Sequence, residues 1–401
     1  MTAGFDRLFA RCTGSLGGIG RRDDDAEAVA AVVLGTIAEP GDGVLGRLTA
    51  LLGASEAAAL VLTRPDVPAL VQAFRAAGEQ IDPRTARAAL ERWLPRVDAD
   101  AMVRAIVQAG RVGARLLLPS DPLWPRGVDD LAVHAPFTLW VRGAVGALAA
   151  GLRAIALVGA RASTGYGTLV AGEMAAGLSD RGVTIVSGGA YGIDGAAHRA
   201  TLNRGGTTVA LLAGGVDRFY PLGHDRLLAE IAETGAVVSE LPCGAAPTRW
   251  RFLQRNRLIA ASTGATVVVE AGVRSGSLNT AGHASALGRP VGAVPGPVTS
   301  PSSAGCHRLL REYDAICVTD ATQVAELVDG GPPDPRTPDP RDTSDTVRVL
   351  DALSTRSPRP LDDIARRAGL PPNQVMAALG GLDADHRAAR SPDGWLAVRG
   401  T

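Results

Sequence analysis

Clustered arginine and glycine-rich turns are the residues in this chain whose types and spacing suit one chemistry, the binding of phosphate. Arg249-Trp250-Arg251-Phe252-Leu253-Gln254-Arg255-Asn256-Arg257 carries four arginines in nine residues. A guanidinium is planar, always charged and able to fork onto two phosphate oxygens. Three bare turns accompany the cluster: Gly159-Ala160-Arg161-Ala162-Ser163-Thr164-Gly165-Tyr166-Gly167, Ser187-Gly188-Gly189, and Ser275-Gly276-Ser277. Each follows a short apolar run and leads toward a helix, an arrangement that presents backbone N–H groups to an anion. Arg161, Arg255 and Arg257 are the candidate phosphate contacts, and Asn256 is the candidate for a base or sugar. Tyr166, Trp250 and Phe252 are candidates to stack a base.

Other chemistries are less well supplied. The first turn is not the dinucleotide fingerprint, and without lysine there is no phosphate-binding Gly-Lys-Ser/Thr loop. Asp194 and His198 share a helical face, but with no third partner they read as an N-cap and a satisfied histidine. Glu270 ends a strand and is a candidate general base or, more in keeping with its neighbours, a carboxylate that orients Arg255 or Arg257. His283 and His307 lack ligand-spaced partners, and the four cysteines form no C-x-x-C pair. Neither a catalytic set, a metal site nor a cofactor is therefore expected.

Formal net charge is zero, but between Leu241 and Arg311 the only acid is Glu270 against eight arginines. A basic face on a neutral protein is expected there. With no apolar run of membrane-spanning length and no secretory leader pattern, a soluble cytoplasmic protein is expected.

Residues 1–112 read as helical, with candidates at 26–37, 44–52, 57–62, 67–76, 83–93 and 99–108. The glycine-punctuated turn 41–46 can be read as a helix-hairpin-helix DNA contact or, preferably, as an ordinary cap. From 113 to 328 short apolar strands (155–158, 183–187, 208–212, 236–239, 266–270, 291–294) alternate with amphipathic helices (168–180, 194–204, 225–234, 254–262, 277–287). That alternation predicts an α/β domain, an extended Rossmann-like parallel sheet covered on both faces. A further short strand at 137–143 is expected to extend the sheet edge. Residues 329–345 are a proline-rich linker. Residues 346–401, three short helices and a hairpin around Pro392-Asp393-Gly394, follow the winged-helix plan. Its third helix carries no arginine, which favours a protein contact or regulatory role over DNA reading.

The ordered motifs Gly159-Ala160-Arg161…Tyr166-Gly167, Ser187-Gly188-Gly189-Ala190-Tyr191-Gly192-Ile193-Asp194, Arg255-Asn256-Arg257-Leu258-Ile259-Ala260, Ser275-Gly276-Ser277-Leu278 and Ala293-Val294-Pro295-Gly296 resemble the DNA-processing protein A family, also called DprA or Smf. They cover about half the chain. The resemblance implies a single-stranded DNA-binding homodimer without nucleotide hydrolysis that protects incoming strands and loads the RecA recombinase in transformation or recombination. Tyr191, Cys306-His307 and the absence of lysine depart from the family pattern. The alternative is a Rossmann-like nucleoside-monophosphate phosphoribohydrolase with Glu270 as its carboxylate, although Pro295-Gly296-Pro297 lacks that family's continuation.

Overall fold

A computed structural model of the chain describes residues 3–22, 24–329, 344–355, 357–384 and 386–398. Two compact units divide the chain, Met1–Gly331 and Pro332–Thr401.

The first unit is built on nine strands: β1 (Ala114–Leu117), β2 (Leu139–Gly143), β3 (Ile155–Gly159), β4 (Ile185–Ser187), β5 (Thr208–Leu211), β6 (Ala236–Ser239), β7 (Ala265–Glu270), β8 (Val291–Ala293) and β9 (Ile316–Cys317). Their order is β1-β2-β6-β5-β4-β3-β7-β8-β9. β3 to β9 are parallel, and β1 and β2 add an antiparallel margin beside β6. β3 to β8 are almost wholly apolar because helices cover both faces. The chain winds outward from β3 to β6 and then returns to place β7 on the other side of β3. This reversal opens a crevice at the carboxyl ends of β3 and β7, where ligands of such sheets bind.

The helices Ala26–Ile37, Val67–Ala76, Pro83–Trp93 and Asp225–Thr234 form where the periodicity predicts them. The arginine-bearing helix is longer than expected, Arg249–Ala261, because Thr248 caps it by accepting from the Arg251 N–H. Its first turn thereby fixes Arg249 and Phe252 at the crevice. The amino-terminal helices share one core with the sheet: Leu34, Trp93 and Ile106 lie in the same cluster as Leu116, Trp140 and Val237. The turn at Gly41 is a cap. Asp42 accepts from the N–H groups of Val44 and Leu45 at 3.1 Å and from the Trp93 indole at 2.9 Å.

Among the described residues no single helix is long and apolar enough to cross a membrane. The second unit packs helices Ser344–Ala352, Leu361–Ala368 and Pro372–Ala384 with the hairpin β10 (Ala388–Ser391) and β11 (Gly394–Ala397) around Ile364, Leu379 and Trp395. This is the expected winged helix. Positions 330–343 of the expected linker lie outside the described residues.

Candidate nucleic-acid interface

An open cleft of about 820 Å³ lies at the carboxyl ends of β3 and β7. Of the residues singled out from the sequence, Gly159, Arg161, Asp194, Phe252, Arg255, Asn256, Ser275, Gly276 and Ser277 line it. Arg249, Arg274, Thr248 and Tyr220 line it as well. Arg161, Arg249 and Arg274 are exposed. None of these three has a carboxylate partner among the described residues. Arg161 instead lies over the Phe252 ring, 4.5 Å from its centroid, a contact that holds the cation without neutralising it.

Arg255 is the floor of the cleft. It is 5% exposed, and its Nη1 donates to the Gly188 carbonyl at 2.7 Å and to that of Leu211. Its buried Nε has no partner. Burial pulls its pKa down to about 10; attraction to Asp194 opposes that change and repulsion from Arg161 adds to it. The guanidinium remains charged at neutral pH, with donor capacity unspent beside open space. Asn256 is structural as well as cleft-facing: its Nδ2 donates to the Gly276 carbonyl at 3.2 Å and to Asn279 Oδ1 at 3.3 Å, tying the arginine helix to the serine turn. The hydroxyls of Ser275 and Ser277 are 2.8 Å apart.

Arg257 corrects the sequence expectation. It is 3% exposed, does not line the cleft, and both terminal nitrogens donate to the Glu240 carboxylate at 2.7 Å. Its Nε donates to the His134 carbonyl at 3.1 Å. With a further bond from Nη1 to the Gln254 carbonyl at 3.1 Å, four of its five N–H donors are committed inside the protein, away from the cleft.

The second glycine turn differs from expectation in the same way. The Ser187 hydroxyl is buried and donates to the Leu157 carbonyl at 2.6 Å. The amides of Gly188 and Ala190 donate to Asp194 Oδ2 at 3.1 and 3.4 Å. The Gly189 carbonyl accepts from His224 Nδ1 at 3.0 Å. The chain's own carboxylate thus occupies the nest that a phosphate was expected to fill. Burial raises the Asp194 pKa, opposed by Arg255 and these amides. Glycine is required at 188 because a Cβ there would stand 2.2 Å from Arg255 Nη1. Asp194 lies within the first turn of helix Ile193–Asn203 and is not its N-cap, which is Gly192. His198 Nδ1 meets the Thr208 hydroxyl at 2.7 Å, while its Nε2 has no partner.

The first turn is held from below by Glu270. This carboxylate, 2% exposed, accepts from the Thr164 N–H at 2.8 Å and the Thr164 hydroxyl at 2.7 Å. Glu270 therefore orients neither Arg255 nor Arg257; Glu240 serves Arg257 instead. Gly167 packs against Glu270, and a Cβ there would lie 2.3 Å from Oε2. The Ser163 hydroxyl pairs with that of Thr168 at 2.9 Å, and the Tyr166 hydroxyl donates to the Pro295 carbonyl at 2.7 Å. Ser163, Gly165, Tyr166 and Gly167 shape the turn and do not line the cleft. Trp250 is exposed in the first turn of the arginine helix, outside the cleft lining. Tyr220 is a cleft residue absent from the sequence expectation. Its signal is its place in the loop that follows β5, another strand carboxyl end.

This cleft belongs to a known lineage. The family profile described as DNA recombination-mediator protein A matches residues 115–329, which include every cleft residue. The chain belongs to that family. A profile for the DprA winged helix domain matches residues 332–394. A relative from Mycobacterium tuberculosis that carries the DprA name is 47% identical over 305 residues, spanning 72% of this chain and 78% of the relative. Protein Smf of Escherichia coli is 38% identical over 66% of this chain and 72% of its own length. The crystal structure of DNA processing protein A from Streptococcus pneumoniae superposes with a TM-score of 0.57 at 29% identity, covering 73% of this chain and 94% of that one. The family membership makes the chain a DNA-processing protein of recombination.

Proposed function

We propose that the cleft grips the sugar–phosphate backbone of single-stranded DNA and that the protein, as a homodimer, delivers the strand to the RecA recombinase. The observation that carries the first part is the convergence of Arg161, Arg249 and Arg274, none paired with an acid among the described residues, on one open cleft. Every neutralised phosphate releases counterions, so such a site binds nucleic acid with strong salt dependence. The proposed contacts are those three arginines, with Arg255 beneath them and the hydroxyls of Ser275 and Ser277 beside them. Single strands suit the site better than duplex because its contacts surround a recess at strand ends, and the helix Arg249–Ala261 keeps Arg255 and Arg257 buried rather than presenting them to a groove. Delivery to a recombinase is supported by the family's description as a recombination mediator. The hydrolase alternative is disfavoured because Glu270 is buried and its two oxygens hold Thr164.

A gel shift with single- and double-stranded oligonucleotides of equal length tests the binding. A preference for the single strand is expected, and equal or stronger duplex binding would refute it. RecA-mediated strand exchange on strands precoated with a single-strand-binding protein tests delivery; it should accelerate when this protein is added.

A further inference from the structure

Tyr220 is a half-exposed aromatic ring on the cleft wall, 47% accessible, in the loop between β5 and helix Asp225–Thr234. Its ring tilts at 59° against Phe252, with centroids 5.7 Å apart. Phe252 is the ring that also carries the Arg161 guanidinium. The protein therefore sets an unpaired cation and an open aromatic surface side by side, joined through one buttressing ring. The Tyr220 hydroxyl makes no hydrogen bond among the described residues, so the ring is held by packing alone.

We propose that Tyr220, backed by Phe252, is the platform on which an unpaired nucleobase stacks while Arg161 holds the neighbouring phosphate. This rests on the phosphate-binding reading of the cleft and adds to it the occupant of the adjoining apolar wall. The unpaired arginines supply the charge complementarity that brings a nucleic acid to this wall. Every base has a π-face, so the contact tolerates any sequence. In a duplex that face is covered by the neighbouring base pairs, so only an unpaired strand can offer it. Tyr220 thus contributes discrimination between strand types, whereas the arginines contribute affinity for both.

The test uses the full-length chain and fluorescence anisotropy with two probes of equal length, oligothymidylate and a strand of abasic sugar phosphates. Wild-type protein should bind the abasic strand about tenfold more weakly, within the range for loss of one base–aromatic stack. Tyr220→Leu should weaken oligothymidylate about tenfold and leave the abasic strand unchanged. Tyr220→Phe, which keeps the ring, should stay within about twofold of wild type on both probes. The salt slope should be the same for all three proteins, because no phosphate contact is altered. Equal wild-type affinities for the two probes would overturn the platform without any variant. So would a Tyr220→Leu protein that binds oligothymidylate normally, or one that loses both probes equally. A wild-type salt slope near zero on both probes would instead remove the phosphate reading, and the platform with it.

Discussion

The arginine helix Arg249–Ala261 has two sides that treat the same residue type in opposite ways. Toward the amino-terminal helices, Arg251 forks onto Glu39 at 3.0 and 2.9 Å, and Arg96 reaches the same carboxylate. Arg257 forks onto Glu240 nearby. Toward the cleft, Arg249 stands exposed without an acid, and Arg255 spends only part of its donor capacity on carbonyls. One side anchors the helix and the other is available to a ligand. A run of like charges is thus not a binding patch until its partners are known.

The largest effect that would break this contrast is on stability. Arg257→Ala should leave the Glu240 carboxylate buried and unpaired, costing about 3–5 kcal/mol in urea unfolding. A variant as stable as wild type would return Arg257 to the cleft side. Next comes Arg161→Ala, which should lose about 1–3 kcal/mol of single-strand affinity. Its unfolding free energy should change by no more than about 1 kcal/mol, the scale of an exposed cation–π contact.

An internal histidine gives a pH signature. Burial, reinforced by the charges of His224, Arg255 and Arg199, pushes the His198 pKa from 6.5 down to about 3. The unfolded chain takes up a proton near pH 6.5 while the folded chain does not. Stability present above that pH should fall by about 1.4 kcal/mol per pH unit below it from this group. Urea unfolding of wild type and His198→Gln at about pH 7.5 and about pH 5.5 should therefore show a steeper acid loss in wild type.

Salt dependence sharpens the count of free arginines. Three phosphate contacts predict a slope of log affinity on log salt near about −2 per protomer, and Arg249→Ala should flatten it by about 0.7. Arg257→Ala, measured on folded protein, should leave the slope unchanged. The smallest expected effect is truncation after Asp329. The first unit carries its own cores, so it should remain folded and bind single strands with near wild-type affinity, as judged by melting and anisotropy.

Much of the fold is legible in the sequence because periodicity is local. The runs at 155–158 and 236–239 can bury both faces only inside a covered parallel sheet, and they do so as β3 and β6. β1 is not legible: Arg115 interrupts its four residues, and its pairing with β2 across Ala114↔Arg142 supplies what its own pattern lacks. β9, two exposed residues at the sheet margin, has too little sequence to carry a period. Residue type and position at strand ends suffice to place Arg161, Arg255, Asn256 and the serine turn on the cleft lining. Ser187 and Arg257 mislead because their partners, the Leu157 carbonyl and Glu240, lie far from them along the chain.

By itself, the amino-acid sequence determined the order of strands and helices, the loops that must gather at one end of the sheet, and the family motifs those loops carry. Helical and strand periods and turn chemistry act over a few residues, so they can be read from neighbours. Only the tertiary structure decided which charges are spent. Arg251 is neutralised by a carboxylate 212 positions away, and Asp194 fills the amide nest that glycine alone advertised for an anion. Ion pairing falls off over a few ångströms of space regardless of chain distance, so a free arginine and a committed one look alike until the chain has folded.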